Sequence, residues 1–432
     1  MHRRTFLKGL GTATTGVALA SADTAGTSAA PASAAGLLGV SQLEQPVAIA
    51  MWDFSWLHRH HPAGEFEDWD RALDELVDRG YNAIRMDVFP HLVAADPDGV
   101  VHDSFYLPKS DWKPTMWGNK FSVDIRPREG LLEFLPKCRE RGVHVGFSTW
   151  FFGPGAERIE GLDGFVRVWT ETLALLEKHG LLDNVLYVDL LNEYPLFHGF
   201  SWFTKHLDSL SDAPLDEAKE AAAAGRLPFE WVPGQGQYNP VQIAYYRDFA
   251  CKAIDRLSQR WPGFDYLACQ TRVDSVPWTQ MDFSRYDVLD VHTWFIMNGL
   301  LGSETGYWEN IHGLADNDLK FSEVGARVME NWTKNKDALA AWMDEVVGEI
   351  GRKARELGVP CGNTEGWGPI NWLDHPALGW DMLKEAGELG ARLGRKHGYM
   401  FNCTSNFTHP QFPGLWNDIE WHRRVTSIIR NG

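Results

Sequence analysis

Leu186-Tyr187-Val188-Asp189-Leu190-Leu191-Asn192-Glu193-Tyr194-Pro195 is an apolar, β-prone run that stops on an amide and a carboxylate, with a proline behind them. It has the length of a buried strand, and Pro195 bars its continuation in a sheet. Strands apolar on both faces belong to parallel sheets covered by helices, whose ligands bind at the carboxyl ends of the strands. Outward from this stretch, strand-like runs alternate with helical patterns. Upstream lie Val47 to Trp52, Asn82 to Val88 and Val143 to Ser148. Downstream lie Phe264 to Gln270, Asp287 to His292, a run from Val359 that carries Glu365, and Tyr399 to Cys403.

The intervening helices are read from one-sided apolar spacing. Trp69, Leu73, Leu76 and Val77 share a face near residues 67–79, and Phe165, Val168, Trp169, Leu173 and Leu176 share another. Leu339, Trp342, Met343, Val346 and Ile350 mark a helix that follows an insertion reaching to about Asn335. Eight strands alternating with helices predict an α/β fold, a (β/α)8 TIM barrel with long loop insertions after strands two, four and six. The last two insertions cover about residues 196–240 and 296–335. A doubly wound sheet would be the alternative, but no G-x-G-x-x-G follows the first strand.

Bulk properties narrow the partners. Of the residues, 44% are hydrophobic and 23% charged, as in a soluble globular protein, and the formal net charge of −17 disfavours nucleic acid and anionic membranes. Twenty tryptophans are many for a core and suit sugar-stacking clefts. Arg3-Arg4-Thr5-Phe6-Leu7-Lys8 matches a twin-arginine pattern, followed by a weak apolar run to Ala20 and by Ala32-Ser33-Ala34. Residues 1–34 thus read as an export signal, too short to stay inserted in a membrane, giving a secreted or periplasmic protein with one barrel domain over 35–432. The five scattered cysteines read as buried free thiols rather than a disulfide framework, and no Cys/His spacing suggests zinc.

Val359-Pro360-Cys361-Gly362-Asn363-Thr364-Glu365-Gly366-Trp367-Gly368 repeats the design of the opening stretch. Two strand-end glutamates are what glycoside hydrolysis requires, one carboxyl as acid and one as nucleophile or base. With Asn192-Glu193 on strand four and Thr364-Glu365 on strand seven, the chain resembles the clan-A glycoside hydrolases, particularly family 5 and its cellulase-like neighbours, from about residue 47 to the end. Thr364-Glu365 with Trp367-Gly368 is similar to a T-E-W-G motif with one glycine inserted. Arg85 resembles the strand-two arginine that keeps the nucleophile ionised, and His292-Thr293-Trp294 resembles an H-x-Y motif on strand six.

The resemblance implies retaining hydrolysis of an oligo- or polysaccharide, with Glu365 as nucleophile, Glu193 as acid/base, Asn192 on the 2-hydroxyl, and neither metal nor organic cofactor. The chain departs from the family in four places. Proline follows Glu193 by two positions, Trp294 replaces a tyrosine, Ser148-Thr149-Trp150 replaces D-W-H, and strand eight offers Asn402, Ser405 and Asn406 in place of a tryptophan. Trp52, Trp150 and Trp367, at or just past strand ends, are candidate sugar platforms, and Asp87 and His91 are candidate partners of substrate hydroxyls. Each has a plainer reading as a core ring or a satisfied loop residue. Two rivals remain open: a non-catalytic carbohydrate-binding barrel, and a metal-dependent barrel hydrolase using the H-x-H of His58-Arg59-His60-His61.

Overall fold

The computed structural model describes residues 39–108, 122–152, 154–156, 159–194, 200–211, 239–271, 278, 281–310 and 318–432. The segment expected to be an export signal therefore lies outside the described residues, as do most of the insertion after strand four and the tip of the one after strand two.

Six barrel strands are continuous: β1 Val47–Asp53, β2 Ala83–Asp87, β3 His144–Ser148, β4 Val185–Asp189, β6 Leu289–Trp294 and β8 Phe401–Cys403, while β7 comes as Cys361–Asn363 and, past a break at Thr364 and Glu365, Gly366–Trp367, both paired with β6. Strand β5 comes in two halves, Tyr266–Leu267 and Gln270–Thr271. All pairings are parallel, and β8 returns to pair with β1. The halves of β5 close the ring, since Tyr266 and Leu267 pair with β4 while Gln270 and Thr271 pair with β6. This is the (β/α)8 barrel read from the sequence. The unbroken β5 expected over Phe264 to Gln270 is corrected by one local substitution of partners: the Cys269 amide donates to the Asp189 carboxylate (2.9 Å).

Helices cover the ring where one-sided apolar spacing placed them. In Trp69–Asp78 the Asp68 side chain caps the first turn, and Trp69, Ala72, Leu73 and Leu76 are buried. Val77, expected on that face, is 42% exposed, and Ala72 takes its place. The largest correction concerns the insertion after β6. A helix runs over Asp318–Leu357, with non-helical angles at Asn335, so the second half of the expected loop is helical. Phe321, Val324, Val328 and Trp332 are buried at 3.6-residue spacing, which is the signal for it. Between β5 and β6 no helix lies among the described residues. The insertion after β2 carries an antiparallel pair, Phe105–Leu107 with Val123–Ile125. All five cysteines are free, and four of them are buried.

The barrel interior is graded from apolar to polar. Low in the barrel, Tyr187 and Phe401 approach each other (ring centroids 5.9 Å). Gly146 and Gly362 make room for them, because a Cβ at either would stand 2.2–2.3 Å from atoms of those residues. Above them, at the carboxyl end, come Arg85, Asp189, Asp290 and His292, all buried. The chain leaves the first four strands through residues with left-handed backbone: Asp53 (φ 34°), Phe89 (47°), Phe151 (51°) and Glu193 (47°). Such angles cost an L-residue about 1–2 kcal/mol, and their concentration on one face marks the functional end of the fold.

Candidate active site

Glu193 and Glu365 meet at this end. One carboxylate oxygen of each, together with a ring nitrogen of His292, lies within 4.8 Å of the others. Both glutamates are almost fully buried, at 5% and 3% exposure. Glu193 is set by three neighbouring anchors. The Asn192 amide donates to Thr149 O, the Tyr194 amide donates to Cys269 O, and the Glu193 amide rests on Cys269 Sγ (3.0 Å). His292 Nδ1 then donates to Glu193 Oε1 (3.0 Å) and stands 3.6 Å from Glu365 Oε1.

Arg85 ties the strands together from β2. Its Nη2 pairs with Glu365 Oε1 (2.7 Å) and donates to Asn192 Oδ1, while Nη1 donates to Thr364 Oγ1 (3.0 Å). The same guanidinium meets Asp53 through Nε (3.2 Å) and Nη2 (3.3 Å). Thr364 Oγ1 accepts from Arg85 and from His292 Nε2 (3.1 Å), and donates its hydroxyl hydrogen bond to Asp290 Oδ2 (2.5 Å). Asp290 also fixes the Thr364 amide (3.1 Å), which positions Glu365 one residue on. Gly366 N donates to Asn406 Oδ1 (2.6 Å) on the other side of Glu365.

Burial pushes both catalytic-candidate carboxyls above the ordinary glutamate value. For Glu193 the His292 hydrogen bond opposes that, and for Glu365 the opposing charges are His292 and Arg85. Burial by itself would depress His292, but Cys269, Glu365 and Asp290 around it hold it well above its usual value. The donors of Glu193, His292 and Glu365, and those of Cys269, Asp290 and His292, each converge to within 4.8 Å, closely enough for a metal.

The remaining sequence candidates divide. Trp150 stands at the site, its Nε1 donating to Asp53 Oδ2 (2.7 Å) and its ring stacked on Phe152. Trp294 points the same way as His292, two residues earlier on β6, and their rings meet edge to face at 5.8 Å. Its buried Nε1–H and the Nδ2 of Asn192 meet no acceptor among the described residues. Trp52 and Trp367, by contrast, have no exposed face to offer a sugar. Trp52 packs on Phe66 and Phe134 and donates to Thr408 O. Trp367 donates to Cys403 O and lies on Gly390, where a Cβ would stand 2.1 Å from its ring.

Asp87 spends both oxygens on backbone amides, those of Phe89 (2.7 Å) and Trp150 (2.8 Å), so it ties two loops together rather than facing substrate. His91 is buried against Phe151 with Nε2 on Phe152 O. Asn402 turns out of the barrel, Nδ2 donating to Gly390 O (3.3 Å). The H-x-H pair is used in aromatic packing: His58 stacks on Phe89 and His60 on Trp69. Sequence reasoning missed Asp53 and Asp290 as members of the network, and it placed Thr364 in the strand-seven motif without a role for its hydroxyl. Asp53 ends a strand as Glu193's neighbours do, which was the available signal.

A match to the cellulase-like family, described as sugar-binding cellulase-like, spans residues 49–430. The chain belongs to the cellulase-like family. This cellulase-like protein is 29% identical to a Parabacteroides distasonis protein whose own glycoside-hydrolase assignment is provisional, with a TM-score of 0.73 over 89% of this chain and 94% of that one. An endo-β-1,4-mannanase from Thermotoga petrophila gives 11% identity and a TM-score of 0.46, covering 91% of this chain and 79% of that one. An endocellulase from Pyrococcus horikoshii gives 12% and 0.44, covering 88% and 92%. No curated relative matches at a significant level. The fold is of glycoside hydrolase type.

Proposed function

We propose that this protein is an exported retaining glycoside hydrolase that cleaves O-glycosidic bonds of oligo- or polysaccharides by double displacement. The observation that carries the proposal is the approach of Glu193 and Glu365 oxygens to within 4.8 Å. Retaining pairs stand about 5–5.5 Å apart, whereas inverting pairs need roughly 6.5–9.5 Å to admit a water.

In the first displacement a Glu365 oxygen bonds to the anomeric carbon as the bond to the leaving oxygen breaks, and that oxygen takes the proton of Glu193. In the second, Glu193 removes a proton from water, the water oxygen bonds to the anomeric carbon, and Glu365 leaves as carboxylate. The partners suit these roles: Glu365 has Arg85 at 2.7 Å to favour its anion, while at Glu193 burial and the charge of Glu365 favour the protonated acid against the His292 hydrogen bond and the charges of His292 and Arg85. Asn192, its Oδ1 held by Arg85, has its Nδ2 left for the sugar 2-hydroxyl, a bond that strengthens in the transition state.

The test is a screen of aryl glycosides and plant, fungal and bacterial polysaccharides, followed by NMR of the first-formed product. Retained configuration is expected. Glu365→Ala should lose activity by roughly 10³-fold or more and regain it with azide, giving the inverted glycosyl azide. An inverted first product with the native enzyme would sink the assignment. Export is checked by N-terminal sequencing of extracytoplasmic protein, which should begin near residue 35, and by its loss on Arg3→Lys with Arg4→Lys.

A further inference from the structure

Arg85 is buried between two carboxylates, and only one of them has a role in the displacement chemistry. Asp53, at the end of β1, faces the guanidinium through both oxygens (Nε to Oδ1 3.2 Å, Nη2 to Oδ2 3.3 Å), while Nη2 also reaches Glu365 Oε1 (2.7 Å). Trp150 Nε1 holds Asp53 Oδ2 from β3's loop (2.7 Å). Asp53 is buried, and it keeps this place in a left-handed backbone conformation that an L-residue disfavours.

We propose that Asp53 is a positioning residue, a resident counter-ion that holds Arg85 while Glu365 is esterified and carries no charge. The proposal rests on the double-displacement reading above. When a Glu365 oxygen bonds to the anomeric carbon and Glu193's proton leaves with the departing oxygen, the negative charge beside Arg85 Nη2 disappears. A buried guanidinium deprived of every carboxylate in direct contact with it would be strongly unfavourable. With Asp53 present, one cation remains paired with one anion through the intermediate. Before the attack, Asp53 shares the pull of Arg85 and leaves Glu365 more nucleophilic than a private ion pair would.

The charged and titratable groups facing Asp53 and Arg85 are Asp87 from β2, Asp189 from β4 and Glu193 beyond it, Cys269 between the halves of β5, His292 from β6 and Glu365 beyond β7. Burial raises Asp53 to about 6, and Arg85 and the Trp150 hydrogen bond oppose that rise, so its anion depends on those two partners.

The test is Asp53→Asn, which removes the charge and keeps the shape. In ¹³C NMR of carboxyl-labelled protein, with the Glu365 resonance assigned by Glu365→Gln, the Glu365 midpoint should fall by at least half a pH unit in Asp53→Asn. A midpoint within 0.2 of wild type overturns the proposal. With an aryl glycoside, kcat/KM should fall about tenfold or more while kcat on the most activated substrate falls less, because the ester forms more slowly and breaks down no more slowly. Equal losses in both overturn it. Should Asp53→Asn not fold, Trp150→Phe withdraws the N–H from Asp53 and leaves its charge; the Asp53 midpoint should then rise, and an unmoved midpoint counts against the role. The titrations need no substrate. A shifted Glu365 midpoint alongside full activity in Glu365→Ala would remove the double-displacement reading while leaving the coupling of Asp53, Arg85 and Glu365 intact.

Discussion

Arg85 is the residue on which the site's electrostatics turn. It is fully buried and touches Asp53, Asn192, Thr364, His292 and Glu365 at once. A planar fork with five donors can do this, and a lysine's compact ammonium cannot. Its charge opposes the burial that raises Glu365, so without it Glu365 protonates at higher pH. Arg85→Ala should therefore move the acidic limb of the kcat/KM profile upward and lower turnover sharply, with Arg85→Lys only partly restoring either. The same variant takes the guanidinium away from two buried carboxylates and should lose about 3–5 kcal/mol of stability, measured by urea unfolding. An unmoved acidic limb in a folded variant would assign Arg85 to structure alone.

At the scale of elements, the C-terminal helix Ile419–Asn431 is bolted to the barrel by a short polar chain. Asp418 caps it by accepting from the Trp421 amide (3.1 Å). His422 Nε2 donates to Leu415 O (3.1 Å), so its Nδ1 accepts from Tyr81 O–H (2.8 Å), and Tyr81 also meets Thr404 beyond β8. Burial holds His422 at about 3, below the ordinary 6.5. The unfolded chain therefore binds this proton first, and the stability from a neutral His422 is complete above pH 6.5 and is lost as pH falls toward 3. His422→Gln cannot titrate. The stability gap between wild type and variant should shrink by about 2–3 kcal/mol between pH 7 and 4.5, read from urea midpoints at each pH. A constant gap would mean that His422 takes up its proton in the folded helix as readily as in the unfolded chain.

For the whole molecule, the relevant quantities are a closed ring and a net charge of −17. Closure lets glutamates far apart in sequence share one mouth, and the negative charge biases what approaches it. Neutral glycans should be cleaved with rates indifferent to salt. Any uronate-bearing glycan that is a substrate should be cleaved faster as ionic strength rises, because screening relieves the repulsion. Salt titration of kcat/KM on matched neutral and anionic substrates checks this. A steep fall with salt on the anionic one would reveal a cationic path that outweighs the overall charge.

The barrel was legible because its strands are buried on both faces and its helices on one, so burial writes itself into runs and periods. The two glutamates were legible for a related reason: a carboxylate just past an apolar strand can only sit at the strand's end. Arg85 and His292 could be placed by the same alternation, inside the ring. Which tryptophan faces the cleft was not legible, since Trp52, Trp150 and Trp367 all lie near strand ends and differ in what packs behind them. Gly390 draws Trp367 outward, Phe66 and Phe134 claim Trp52, and Asp53 keeps Trp150 at the site. The same holds for Asp87, whose oxygens are taken by the amides of two different loops. Periodicity is a property of one segment and can be read along the chain. A hydrogen-bond partner from a residue hundreds of positions away, such as Thr364 for Arg85, exists only once the ring has closed.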